Sequence, residues 1–208
     1  MLSLLNNIRS NLAGDYPKID PSSLIDPSAQ IIGNVEIAKD VFVGPLTVIR
    51  ADQRGPDGKV GLIKIEEEVN IQDGVIIHSH PGASLTIGPR TSIAHGVAIH
   101  GPCTVGQDCF LAIRSILYSA TLEEHVWLGM GALVMRTALS SFTKVPVGKV
   151  IRGLPDAMEL RLVTDEEKEY MHGVLTANSN LRLDYLELRR QAKAIKSSAE
   201  GKAEKKPT

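Results

Sequence analysis

Aliphatic residues recur at every sixth position along most of the chain, and this period limits the possible folds more than any other feature. The series runs Ile31, Ile37, Val43 and Ile49, and resumes at Ile65, Ile71 and Ile77. It continues through Ile87, Ile93, Ile99, Val105, Leu111 and Leu117 and closes with Leu122, Leu128 and Val134. Four residues after nearly every one stands a small or β-branched residue, among them Val41, Thr47, Thr91, Cys103 and Ser115. A helix requires a period near 3.6 and a hairpin sheet a period of 2. A period of six, with one large and one small inward residue per unit, predicts a triangular parallel β-helix. Each unit forms one flat side, three units form a coil, and the small residue relieves crowding at the corner. A two-sheet sandwich would meet this spacing only by coincidence.

The phase breaks are equally informative. Between Ile49 and Ile65 the segment "RADQRGPDGKVG" exceeds one unit, and between Ile77 and Ile87 "HSHPGAS" does the same. Both are rich in turn formers and predict loops pushed out of the coil. After Val134 the repeat fades through "VPVGKVIRGLP". From Thr164, a candidate N-cap followed by acidic residues, the spacing of Leu175, Leu181, Tyr185 and Leu188 predicts a helix lying along one side of the prism, with a break allowed near Gly173. The chain thus divides into an N-terminal segment and cap (1–30), a β-helix domain (31–155), a C-terminal helical segment packed on it (156–196) and a disordered tail (197–208).

Charge is balanced, with 23 Lys and Arg against 24 Asp and Glu, so no global field favours nucleic acid or an anionic membrane. Neither of the two cysteines, Cys103 and Cys109, lies in a CxxC arrangement, which points to a reducing compartment. No apolar run is long enough to span a membrane, and the first residues lack the pattern of a cleaved leader. A soluble cytoplasmic protein is expected.

The histidines acquire meaning from the register. His78 follows Ile77 and His100 follows Ile99, three units apart, so the two stack on one side in adjacent coils, about 4.8 Å apart at the backbone. Arg50, following Ile49, joins that column if the long loop counts as one unit. His95 lies two residues after Ile93, on the preceding side of the triangle. One subunit cannot easily bring it round the corner, but a neighbouring prism can. A three-fold assembly would set His78 and His100 of one subunit against His95 of the next. Three neutral imidazoles with an open position form the donor set of a catalytic zinc site, and the same set suits iron or cobalt.

The runs "IRAD", "VNIQDGVIIH" and "SIAHGVAIHGP" resemble those of the γ-class carbonic anhydrases and of the related amino-terminal domain of the carboxysomal shell protein. The resemblance extends from about Ile19 to about Leu188. It implies a left-handed, homotrimeric β-helix with one Zn2+ (alternatively Fe2+ or Co2+) per subunit interface. It also implies a lyase that reversibly hydrates carbon dioxide to bicarbonate by metal-bound hydroxide. His78, His95 and His100 match the metal ligands, and Gln72 matches a glutamine that orients the metal-bound solvent. Arg50 and Asp73 match a pair that bridges subunits, with Asp52 and Asn70 as polar residues beside them. Asn178, in "TANSNLRLDY", matches an asparagine that helps hold carbon dioxide.

Two departures bear on turnover. The best-known members of the family carry a longer acidic loop after the first histidine, where this chain has only "SHPGAS"; and Gln53 occupies the place of a second glutamate. His80 is a candidate substitute for proton transfer, since histidine is the side-chain type suited to moving protons near neutral pH. Two other readings stay open. One is a non-catalytic metal-binding scaffold or subunit of the same family. The other is a hexapeptide-repeat acyltransferase, which would need one general-base histidine and a groove for coenzyme A.

Overall fold

The computed structural model describes residues 6–158 and 160–203. The six-residue units form short parallel strands in three sheets of eight, seven and seven strands among the described residues. Each strand pairs with the strand one coil before and one coil after, which makes a left-handed parallel β-helix of about 7 turns.

The aliphatic series becomes three inward ladders. On the first sheet Ile31, Ile49, Ile77, Ile99, Leu117, Val134 and Ile151 stand in register. On the second sheet the ladder is Ile19, Ile37, Ile65, Ile87, Val105, Leu122 and Leu139. On the third it is Ile25, Val43, Ile71, Ile93, Leu111, Leu128 and Val145. All but Ile19, which is partly buried and packs against the rest, are buried in one continuous core. Each such side chain removed from water contributes about 1.5–3 kcal/mol. The small residues also point inward: Thr47, Thr91 and Ser115 are fully buried at one corner or another. Thr91 satisfies its hydroxyl by donating to the Gly106 carbonyl and accepting from the Cys109 amide.

Both predicted loops leave the coil without disturbing its register. Ile49 pairs directly with Ile77, and Ile63 pairs with Val35, so the segment between is excised from the stack. The two loops meet outside the prism, where the Gly82 amide donates to the Gln53 carbonyl. A Cβ on Gly82 would lie 2.7 Å from the Gly55 backbone, so this approach requires glycine.

A short helix α1 (Leu154–Ala157) follows the last coil, and Leu160 packs on the end of the core. Helix α2 (Asp165–Ala203) then runs back along the third sheet, against the strands Ser92–Ile93, Asn70–Ile71, Phe42–Val43 and Leu24–Ile25. Thr164 caps it: its hydroxyl accepts from the Glu167 amide, and the Glu167 carboxylate accepts from the Thr164 amide. The helix passes through Gly173 without a break and includes residues 197–203; residues 204–208 of the tail lie outside the described residues. Val163, Met171 and Val174 pack on Phe110, Ala112 and Trp127. Farther along, Arg182 is buried, pairs with Asp40 at 3.0 Å and donates to the Ser22 carbonyl. Arg189 donates to the Ile25 carbonyl. Leu181, Tyr185 and Leu188, the residues of the apolar spacing, are about half exposed in the single chain. Among the described residues no helix is long and apolar enough to cross a membrane.

Candidate metal centre

The first sheet carries one half of the site on its outer surface. Register pairing places Arg50, His78, His100 and Tyr118 in one column, each one coil above the last. The inward ladder beneath fixes this alignment, because any residue directly after an inward aliphatic faces out. The rings of His78 and His100 meet edge to face with centroids 5.2 Å apart. Asp52 reaches back along the strand, accepting from Arg50 at 2.8 Å and placing its second oxygen 3.4 Å from His78 Nε2.

Burial holds His78 below the usual imidazole value, with the Arg50 cation acting in the same direction and Asp52 opposing. Burial likewise lowers His100, helped by the neighbouring His80 and opposed by the Gly101 backbone. Both shifts favour the neutral ring, the form in which imidazole donates to a metal. His78 Nε2, His100 Nδ1 and Asp52 Oδ1 are buried and make no well-formed hydrogen bond. A cation is the partner that would satisfy such nitrogens, so this half of the donor set fits a metal.

The third sheet and its corner carry the other half. His95 follows the strand Ser92–Ile93 and lies about half exposed, with Nδ1 3.6 Å from Asp73 Oδ2 one coil earlier. Gly96, at φ 67, turns the chain directly after it. Next to His95, Gln72 Nε2 donates to Asn70 Oδ1 at 2.7 Å and to Asn178 Oδ1 at 3.1 Å. With both amide hydrogens used, Gln72 presents its carbonyl oxygen as an acceptor. These residues open on a cleft of about 720 Å³ between the third sheet and α2, walled by Ala94, Ala112, Ile113, Trp127 and Val174.

Within one chain the two halves stand on different faces, and among the described residues no group of three His, Cys, Asp or Glu can hold a metal ion. Arg50 and Asp73 are likewise apart, and Arg50 pairs with Asp52 instead. The sequence did not single out Tyr118, although its place directly after Leu117 repeats that of His78 and His100. Its hydroxyl lies 3.1 Å from Nε2 of His80, the proton-transfer candidate.

No protein-family model matches the chain. It is 28% identical over 210 residues to the carbonic anhydrase of Methanosarcina thermophila, covering 88% of this chain and 82% of that one. Homologues of the chain thus include a γ-class carbonic anhydrase. The chain is also 33% identical over 185 residues to the carboxysome assembly protein CcmM of a Nostoc species. That match covers 81% of this chain but only 31% of the assembly protein, so the chain spans about a third of that relative. Among solved structures, a hexapeptide transferase family protein from Anaplasma phagocytophilum superposes with a TM-score of 0.67 at 28% identity, covering 85% of this chain and 96% of that one. The chain thus shares its fold with a hexapeptide transferase family protein while its sequence is similar to an anhydrase and an assembly protein, so the fold alone does not decide among these activities.

Proposed function

We propose that three copies of the chain pack side by side, so that His78 and His100 of one subunit and His95 of the next hold a divalent metal, zinc or alternatively iron or cobalt. The centre so formed hydrates carbon dioxide reversibly to bicarbonate in the cytoplasm. One observation carries this reading: two imidazoles one coil apart on one face have buried nitrogens that make no well-formed hydrogen bond, and a third imidazole stands on the adjoining face beside an amide network.

A divalent cation held by neutral imidazoles brings the ionisation of water into the neutral range. The chain's residues do the rest. Gln72, fixed by Asn70 and Asn178, offers an acceptor that aims the attacking oxygen. The apolar wall of Ala94, Ala112 and Ile113 suits a non-polar triatomic substrate, with the Asn178 amide available to a substrate oxygen. Arg50 and Asp73, apart within one chain, would pair across the interface of such a trimer. His80 is the candidate for carrying the proton away.

The non-catalytic scaffold reading is favoured by one observation: the position that would hold an acidic relay is Gln53, exposed on the outer loop. Stopped-flow measurement of carbon dioxide hydration, with metal supplied in excess, separates the two. Hydration abolished by chelation and by His95→Ala supports the enzyme. A metal-loaded trimer without hydration makes the chain a scaffold.

A further inference from the structure

A metal-binding histidine is usually aimed by a hydrogen bond from its second ring nitrogen to a carboxylate or carbonyl. The two candidates on the first sheet differ in this respect. His78 has Asp52 beside it, itself held by Arg50. Among the described residues His100 has no carboxylate beside it, and the Gly101 backbone is the polar group that acts on its ring. Two rings flank it instead. Tyr118, one coil farther on, stacks on His100 with centroids 5.4 Å apart and planes 21° apart. His80 meets His100 edge to face at 4.6 Å.

We infer that Tyr118 is a positioning residue that closes an aromatic clamp on His100, with its hydroxyl bonded to His80 Nε2 as the fastener. His80 belongs to a loop, where a side chain would ordinarily sample several rotamers. Here it is held at both ends: its amide donates to the Gly101 carbonyl at 3.2 Å, and its ring meets the Tyr118 hydroxyl at 3.1 Å. The Arg136 guanidinium lies over the Tyr118 ring, 5.9 Å from its centroid. The clamp does for His100 what a carboxylate would do, by restricting rotation of the ring. It rests on the metal centre proposed above only for its consequence, not for its existence.

Two measurements on the full-length protein test it. Long-range 1H–15N spectra of the metal-free protein, labelled in its imidazoles, report the His80 tautomer. The wild type is expected to hold one tautomer and Tyr118→Phe, which keeps the ring, to release His80 into exchange between two. Exchange already present in the wild type, or a spectrum unchanged in the variant, overturns the clamp. Cobalt(II) affinity, measured by chelator competition, reports the consequence. Tyr118→Phe and His80→Ala are each expected to weaken it about tenfold, and the double variant no more than either alone. Wild-type affinity in the single variants, or effects that simply multiply, overturns the positioning role. If the wild-type trimer binds no cobalt, the metal centre itself is wrong, and the spectra alone decide on the clamp.

Discussion

Gln72 and Asn178 are 106 residues apart in sequence and joined by one hydrogen bond of 3.1 Å, from the Gln72 amide to the Asn178 carbonyl oxygen. The bond ties the third sheet to helix α2 at the place where the cleft opens on His95. It also determines which end of the Gln72 amide faces the cleft, since the Asn70 carbonyl oxygen takes the other hydrogen.

Asn178→Ala frees one Gln72 hydrogen and lets the amide turn. Carbon dioxide hydration is expected to lose about tenfold in kcat/KM, or ~1.4 kcal/mol of transition-state stabilisation. Stopped-flow kinetics reads this directly, and a variant within twofold of wild type would reduce Asn178 to a packing role.

The division of the site between faces predicts a complementation result. His78→Ala and His95→Ala are each expected to bind no metal alone. Co-expressed in equal amounts, they should recover about a quarter of the wild-type metal, the fraction of three-fold interfaces pairing two intact halves. Metal analysis of the mixed trimers showing no recovery would place all ligands within one chain.

Glu167 predicts a pH dependence. The Arg161 guanidinium, then Lys144 and the Thr164 amide, hold its carboxyl far below the ordinary value of 4.5, against the opposing effect of burial. A carboxyl lowered on folding contributes stability that is complete above 4.5 and is lost as the pH falls towards the folded value. The Tm difference between wild type and Glu167→Gln should therefore be constant from pH 8 to 6 and shrink below about 4.5. A difference that persists unchanged to pH 3 would show that the contact does not depend on charge.

Ile87 is fully buried in the second-sheet ladder, between Ile65 and Val105 and away from both halves of the site. Ile87→Ala should cost about 2–5 kcal/mol of stability, measured by denaturant unfolding. Its folded fraction should still bind metal as wild type does. Loss of metal without loss of stability would mean that the second sheet takes part in the site.

Burial raises both thiols, with Cys109 pushed up to about 12. Neither cysteine is in a disulfide, and both are buried. Neither should react with a thiol reagent at pH 8 in the native protein, while both should react in denaturant. Rapid native labelling at Cys109 would mean that the coil opens at that corner.

The sequence by itself determined the solenoid, because every contact in it is a repeat of a local rule. The position of Ile99 in its six-residue unit fixes where His100 points, and the equal phase of Ile77 fixes His78 one coil away. The same rule covered Tyr118, whose meaning was missed because a single tyrosine has no obvious chemistry until a partner is seen. That partner, His80, stands in a loop outside the repeat, and no period places its ring. The docking of α2 is also a matter of tertiary structure. Leu181, Tyr185 and Leu188 mark a helix, yet the residue that becomes buried is Arg182, because Asp40 and the Ser22 carbonyl wait for its charge. The Gln72 to Asn178 bond has the same origin, and only resemblance hinted at it. Periodic packing is short-ranged and is written in the chain; contacts that cross from loop to coil or from helix to sheet depend on where distant segments come to rest, which no local pattern encodes.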